Sequence, residues 1–175
     1  MNAEARRQFT EFVAARTPSL LRLAYVLTGD RHAAEDLLQS ALTKTAGRWG
    51  SVRDSPEAYV RKAMYHEQVG RWRSPRWRRE TVSADMPEPV VADRSEEVDL
   101  RLALERALLA LPPRRRAAIV LRYFEDLPEA EVARIMGCSV GTVRSQTGRA
   151  LARLRELVPD FAALVEAPPA GSMRS

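Results

Sequence analysis

The chain has 175 residues, 45% hydrophobic and 29% charged, which is enough for one ordinary domain or two small ones with modest cores. Its formal net charge is +5 and its pI about 10.0, carried almost wholly by arginine, and that balance favours a polyanionic partner such as nucleic acid. One cysteine, Cys138, excludes an internal disulfide and a multi-cysteine zinc site.

Neither a signal peptide in MNAEARRQF nor a run approaching ~20 apolar residues is present, so a cytoplasmic protein without a membrane partner is expected. Strand signals are nearly absent and apolar residues recur at helical spacing, which predicts an all-α chain. Phe9, Phe12 and Val13 begin a first stripe, continued beyond Pro18 by Leu20, Leu21, Ala24 and Leu27. Gly29-Asp30 supplies a stop and an N-cap. The next helix is the clearest: Ala34, Leu37, Leu38, Ala41, Leu42, Thr45 and Trp49 share a face, and Gly47 and Gly50 loosen its end. Ser55-Pro56 gives an N-cap followed by proline at the first helical position. A helix from there to about Trp72 buries Val60, Ala63 and Met64.

Residues 71–79 read RWRSPRWRR. Arg71, Arg73 and Arg76 interleaved with Trp72 and Trp77 suit a single strand, whose phosphates meet the cations and whose bases stack on indoles. One of the two tryptophans is expected in the core instead. From Glu80 to Asp99, Pro87 and Pro89 break any helix, and Asp85, Glu88, Asp93, Glu96, Glu97 and Asp99 face Arg94 alone, which predicts a flexible acidic linker. A helix with Leu104, Ala107, Leu108 and Leu111 inside comes next, ended by Pro112-Pro113. Its successor buries Ile119, Val120 and Phe124. Beyond Pro159 a frayed tail is expected. The boundaries are thus 5–79, a linker 80–98, a second block 99–158 and a tail 159–175.

Pro128 to Leu154 predicts a helix-turn-helix, whose second helix enters the major groove of duplex DNA. Ala133 is the small residue at the crossing, Gly137 the left-handed turn residue, and Ser139 the cap of the second helix. Val132, Met136, Cys138 and Val143 make the apolar contacts, with Cys138 a core thiol. Thr142, Arg144, Ser145, Gln146 and Arg149 then face outward, the arginines pairing with guanine or holding phosphates. The plainer alternative is an αα-hairpin with a solvated basic face. Arg114-Arg115-Arg116 sits at a helix N-terminus, where cations oppose the macrodipole. Either a DNA phosphate offsets that repulsion or the three are solvated at a corner.

LTGDRHAAEDLLQSAL (Leu27–Leu42), LPPRRRAAIVLRYFEDLP (Leu111–Pro128) and GCSVGTVRSQTGRALARL (Gly137–Leu154) together resemble the compact extracytoplasmic-function group of sigma-70-family RNA polymerase sigma factors, which keep only regions 2 and 4. The resemblance covers about Phe9 to Val158. It implies two helical domains, core RNA polymerase as partner through its β′ clamp helices and β subunit, and promoter DNA as both duplex and opened strand. The helix with Asp36, Leu37, Gln39, Ser40 and Thr43 is implied to hold polymerase. Tyr65, His66, Arg71, Trp72, Arg73, Arg76 and Trp77 are implied to engage the −10 element. Arg114, Ser139, Thr142, Arg144, Ser145, Gln146 and Arg149 are implied to engage the −35 element. An anti-sigma factor is a further implied partner.

The chain departs from the group at His66, where relatives carry asparagine, at Ser74-Pro75, which interrupts a basic run, and at Gly148, where some relatives carry a large side chain. His66 contacts DNA, reports pH through its charge, or is a neutral surface substitution. The rival reading is a free-standing helix-turn-helix regulator acting without polymerase. Enzymatic function has little support. His32 and His66 lack metal-ligand spacing, no carboxylate cluster or phosphate loop is present, and no cofactor, metal or small-molecule substrate is expected.

Overall fold

The computed structural model describes residues 2–52, 54–73 and 96–158. The chain divides into two compact units, Met1–Glu88 and Pro89–Ser175, and the described residues are helical with no strand among them. The acidic stretch 80–95 and the tail 159–175 lie outside the described residues.

In the first unit α1 spans Ala3–Thr28, α2 Arg31–Gly47, α3 Trp49–Val52 and α4 Pro56–Arg73. Asn2 caps α1 by accepting from the Ala5 N–H at 2.8 Å. The helix runs through Pro18 because Pro18 and Ala14 are both exposed, so the Ala14 carbonyl that loses its i+4 donor is left to water. Gly29 ends it at φ 77°, its N–H donating to the Tyr25 carbonyl at 2.7 Å, and Asp30 caps α2 through the Ala33 N–H. α2 packs along both α1 and α4. Its stripe of Ala34, Leu37, Leu38, Ala41 and Thr45 is buried against Leu20, Ala24 and Leu27 of α1 and Val60 and Met64 of α4's own buried side. The Thr45 hydroxyl, fully buried, donates to the Ala41 carbonyl one turn back. Trp49 closes one end, with Phe9 edge-on at 5.1 Å and Phe12 tilted at 5.6 Å between ring centres.

In the second unit α5 spans Glu96–Leu109, α6 Pro113–Ile119, α7 Glu129–Met136 and α8 Val140–Leu157. Helix α5 begins at Glu96, within the stretch expected as linker, because the last helix-breaking proline is Pro89. Helix α8 packs against α6 and α7. Val143, Thr147, Ala150 and Leu154 form its buried stripe, facing a core that includes Ala117, Ile119, Leu121, Val132 and Ile135.

Phe124, expected inside, is 51% exposed, and Tyr123 is 41% exposed. The reason is local. After Ile119 the helix widens into a π turn over Val120–Phe124, and the Glu125 N–H donates to the Val120 carbonyl at 3.0 Å. One extra residue in the turn rotates the later side chains by roughly 100°, so the helical register that buries Ile119 and Val120 no longer buries Phe124. Cys138 is half-buried rather than a core thiol, because it comes after the left-handed Gly137 and lies where the chain leaves α7; Ile135 fills the interior instead.

Two glycines make opposite predictions. Gly137 sits at φ 62°, so Gly137→Ala is expected to lower stability by roughly 1–2 kcal/mol. Gly148 lies inside α8 with nothing within 4 Å of an added Cβ, so Gly148→Ala is expected to raise stability by about 0.5–1 kcal/mol. Urea unfolding of both variants, compared at unchanged slope, checks the pair.

Candidate nucleic-acid and partner interfaces

The second unit carries a helix-turn-helix in α7, the Gly137 turn and α8. The Gly137 N–H donates to the Ala133 carbonyl, as does the Cys138 N–H at 3.1 Å, so that carbonyl of the last turn of α7 is satisfied by the turn itself. Ala133 is 6% exposed, and the small side chain lets the helices cross closely. Ser139 caps α8 by accepting from the Thr142 N–H at 3.1 Å, and its hydroxyl also pairs with that of Thr142 at 2.9 Å. Thr142 is therefore exposed but tied to the cap.

With the 143-147-150-154 stripe buried, Arg144, Ser145, Gly148 and Arg149 are left exposed on the opposite side of α8, and Gln146 is half-buried at the edge. Arg144 is not an unattached cation. Its Nε donates to the Glu129 carboxylate at 2.7 Å, across the turn to the first residue of α7. Arg114 is exposed at the start of α6, whereas Arg116 is 4% exposed and reaches back to the Leu109 carbonyl at 3.5 Å, at the C-terminal end of α5. The arginine triplet thus splits: its third member faces the negative end of a helix.

In the first unit, Asp36, Gln39, Ser40, Thr43 and Lys44 line a shallow groove along the outer side of α2. Leu37, expected among the partner contacts, is 0% exposed: it belongs to the stripe that seats α2, and its role there is packing. Thr43 donates to the Gln39 carbonyl of its own helix, so it offers mainly its methyl group. The Ser40 hydroxyl donates to Glu67 of α4 at 2.6 Å.

Tyr65 and Trp72, expected on DNA, are each 3% exposed. They lie on the same side of α4 as Val60, Met64 and Val69, so neither ring offers a face to a base. Their assignment as strand contacts is corrected to core. His66 is exposed and Arg71 half-buried. Arg76, Trp77 and the side chain of Arg73 lie outside the described residues. No group of histidine, cysteine and carboxylates fit to hold a metal occurs among the described residues, and no described helix is long and apolar enough to cross a membrane.

The family model for Sigma-70, region 4 matches residues 101–154. The RNA polymerase sigma-E factor of Streptomyces coelicolor is 40% identical over 151 residues, which are 85% of this chain and 85% of that one. The chain belongs to the RNA polymerase sigma factor family. The ECF RNA polymerase sigma factor SigM of Mycobacterium tuberculosis is 34% identical over 156 residues, covering 87% of this chain and 78% of its own. Among solved structures, the sigma factor RpoE of Bartonella quintana, in complex with the anti-sigma factor NepR, is 28% identical with a TM-score of 0.58, covering 86% of this chain and 96% of that one.

Sequence reasoning about this sigma factor missed Glu67, which ties α2 to α4. It accepts from Ser40 at 2.6 Å, from Lys44 at 2.7 Å and from Arg71 at 3.2 Å. Of these only the i,i+4 spacing to Arg71 is visible in sequence. Burial pushes the Glu67 carboxyl up, but the hydrogen bonds from Lys44 and Ser40, the Lys44 charge and the Arg71 hydrogen bond outweigh it and hold it below its ordinary value of 4.5.

A carboxyl held low in the folded state stabilises the fold fully above its unfolded value and stops doing so as pH falls through its folded value. Glu67→Gln is therefore expected to be less stable than the parent by roughly 1–3 kcal/mol at neutral pH. The gap should close below the ordinary glutamate range. Thermal unfolding of both proteins between neutral and acid pH checks this.

Proposed function

We propose that this sigma factor is of the extracytoplasmic-function type, acting in the cytoplasm with core RNA polymerase on a small set of promoters. As a sigma factor it directs promoter-specific transcription initiation and is not an enzyme. The observation that carries the finer reading is the exposed row on the capped helix α8: Arg144, Ser145 and Arg149, with Thr142, Gln146 and Ser139 beside them. In this reading α8 lies in the major groove of the −35 element. Arginine there supplies bidentate pairing to guanine or a hold on phosphate, and Arg114 adds a cation at the start of α6.

The first unit takes the other two tasks. Asp36, Gln39 and Thr43, with Lys44 beside them, form a polar groove suited to a partner helix of the polymerase, and Ser40 sets its wall through Glu67. His66, Arg71, Arg73, Arg76 and Trp77 are assigned to the −10 region, the cations to phosphates and the indole to an unpaired base. The domain limits 5–79 and 99–158, joined by an acidic linker whose last residues enter α5, belong to the same proposal. An anti-sigma factor is proposed as a regulatory partner, supported by the Bartonella quintana sigma factor, whose structure was solved with NepR.

Transcription in vitro with added core enzyme, on a promoter library randomised at both elements, tests the reading. Sequence-specific transcripts dependent on the protein are expected, and their absence across the library refutes it. Arg149→Ala is expected to weaken promoter binding by about 1–3 kcal/mol at one base position if that arginine pairs with a base. An equal loss on every sequence means that it holds phosphate only.

A further inference from the structure

We propose that Glu129 is a positioning residue for Arg144, fixing the end of the guanidinium that meets DNA and so setting base preference at one position. The inference rests on the reading of α8 as the −35 helix. Glu129 opens α7 directly after Pro128, and 15 residues later Arg144 stands in the first turns of α8. Nε of Arg144 donates to Oε2 of Glu129 at 2.7 Å, a charge-assisted hydrogen bond of good length. The carboxylate is itself well placed. Helix α7 begins without a side-chain cap, so a negative charge in its first turn complements the exposed amides there.

The consequence lies in which edge is taken. A guanidinium pairs with guanine O6 and N7 through two parallel N–H groups, using either its Nε and one Nη or its two Nη groups. Glu129 occupies Nε, which leaves the terminal Nη pair as the edge for a base. The Arg144 side chain is 69% exposed, and without a tether it would sample many rotamers; with one, part of its ordering is complete before DNA arrives. Arg149 has no such carboxylate among the described residues, so the two arginines differ in kind: one braced, one not.

The same carboxylate brings a negative charge near the phosphates, which weakens binding to any sequence. Bracing and repulsion thus have opposite signatures on removal. If Glu129 braces Arg144, its loss relaxes discrimination while general affinity rises. If it is only a charge, affinity rises and discrimination stays.

The test uses the full chain assembled with core polymerase and a duplex library randomised across the −35 element, with selection read by sequencing. Arg144→Ala first identifies the base pair whose preference depends on that arginine; in the parent, a bidentate pair there is expected to discriminate roughly five- to 150-fold. Glu129→Ala is expected to cut that preference to within about threefold and to raise binding to unrelated sequences. Glu129→Gln keeps an oxygen acceptor for Nε without the charge, and is expected to retain most of the preference while raising general binding as much as alanine does. Unchanged preference in Glu129→Ala overturns the proposal, as does an equal loss in alanine and glutamine variants. If Arg144→Ala alters no base preference, the reading of Arg144 as a base contact fails first, and that result is separable from failure of the brace. Glu131→Gln, which removes a charge from α7 without touching Arg144, is expected to leave the preference intact, and a loss there equal to that of Glu129→Ala also overturns it.

Discussion

Each unit depends on one central helix whose apolar stripe is completely buried, and the register of that stripe decides what the helix offers to a partner. In the second unit this helix is α8, with Val143, Ala150 and Leu154 at 0% exposure. A shift by one residue would turn the row of Arg144, Ser145 and Arg149 by roughly 100° and bring part of it inside. Burying an unpaired arginine costs far more than the modest gain from exposing an alanine, so the register is held firmly. In the first unit α2 has the same place, with Leu37 and Ala41 inside and Asp36, Gln39 and Thr43 outside. The polar groove on α2 and the exposed arginine row on α8 are by-products of the same constraint.

Charge is distributed by a second rule: part of it is committed within the protein, and the remainder is available to partners. Arg116 is turned to the end of α5 and Glu67 to Ser40, Lys44 and Arg71. Arg116, Lys44 and Arg71 are therefore already engaged within the protein. Arg144 is intermediate, held at one edge by Glu129 and open at the other. Such partial commitment is useful in recognition, because a cation with restricted geometry discriminates between bases better than a mobile one, which serves equally well on any phosphate.

The elements were legible where the physics is local. Gly29-Asp30, Ser55-Pro56 and Gly137 through Ser139 mark helix ends because caps and left-handed turns are decided by a few adjacent residues. Periodicity likewise marked the buried face of α2. It misplaced Phe124 because a π turn changes the period inside one helix, and no composition signal announces that. Trp72 was counted as a strand contact because an aromatic among arginines has the same pattern whether it stacks on a base or on its own core, and Tyr65 was counted through the family resemblance alone.

What the sequence by itself determined is the all-helical class, the helix-turn-helix, most helix limits and, through three motifs, the sigma factor family. What only the tertiary structure decided is which of the charged and aromatic residues remain available. Glu67 meets Ser40 and Lys44 across 27 and 23 positions, and Glu129 meets Arg144 across 15. Those separations carry no helical period, because they depend on how two packed helices are set against each other. A stripe of leucines constrains that setting only through the shape of the core it fills.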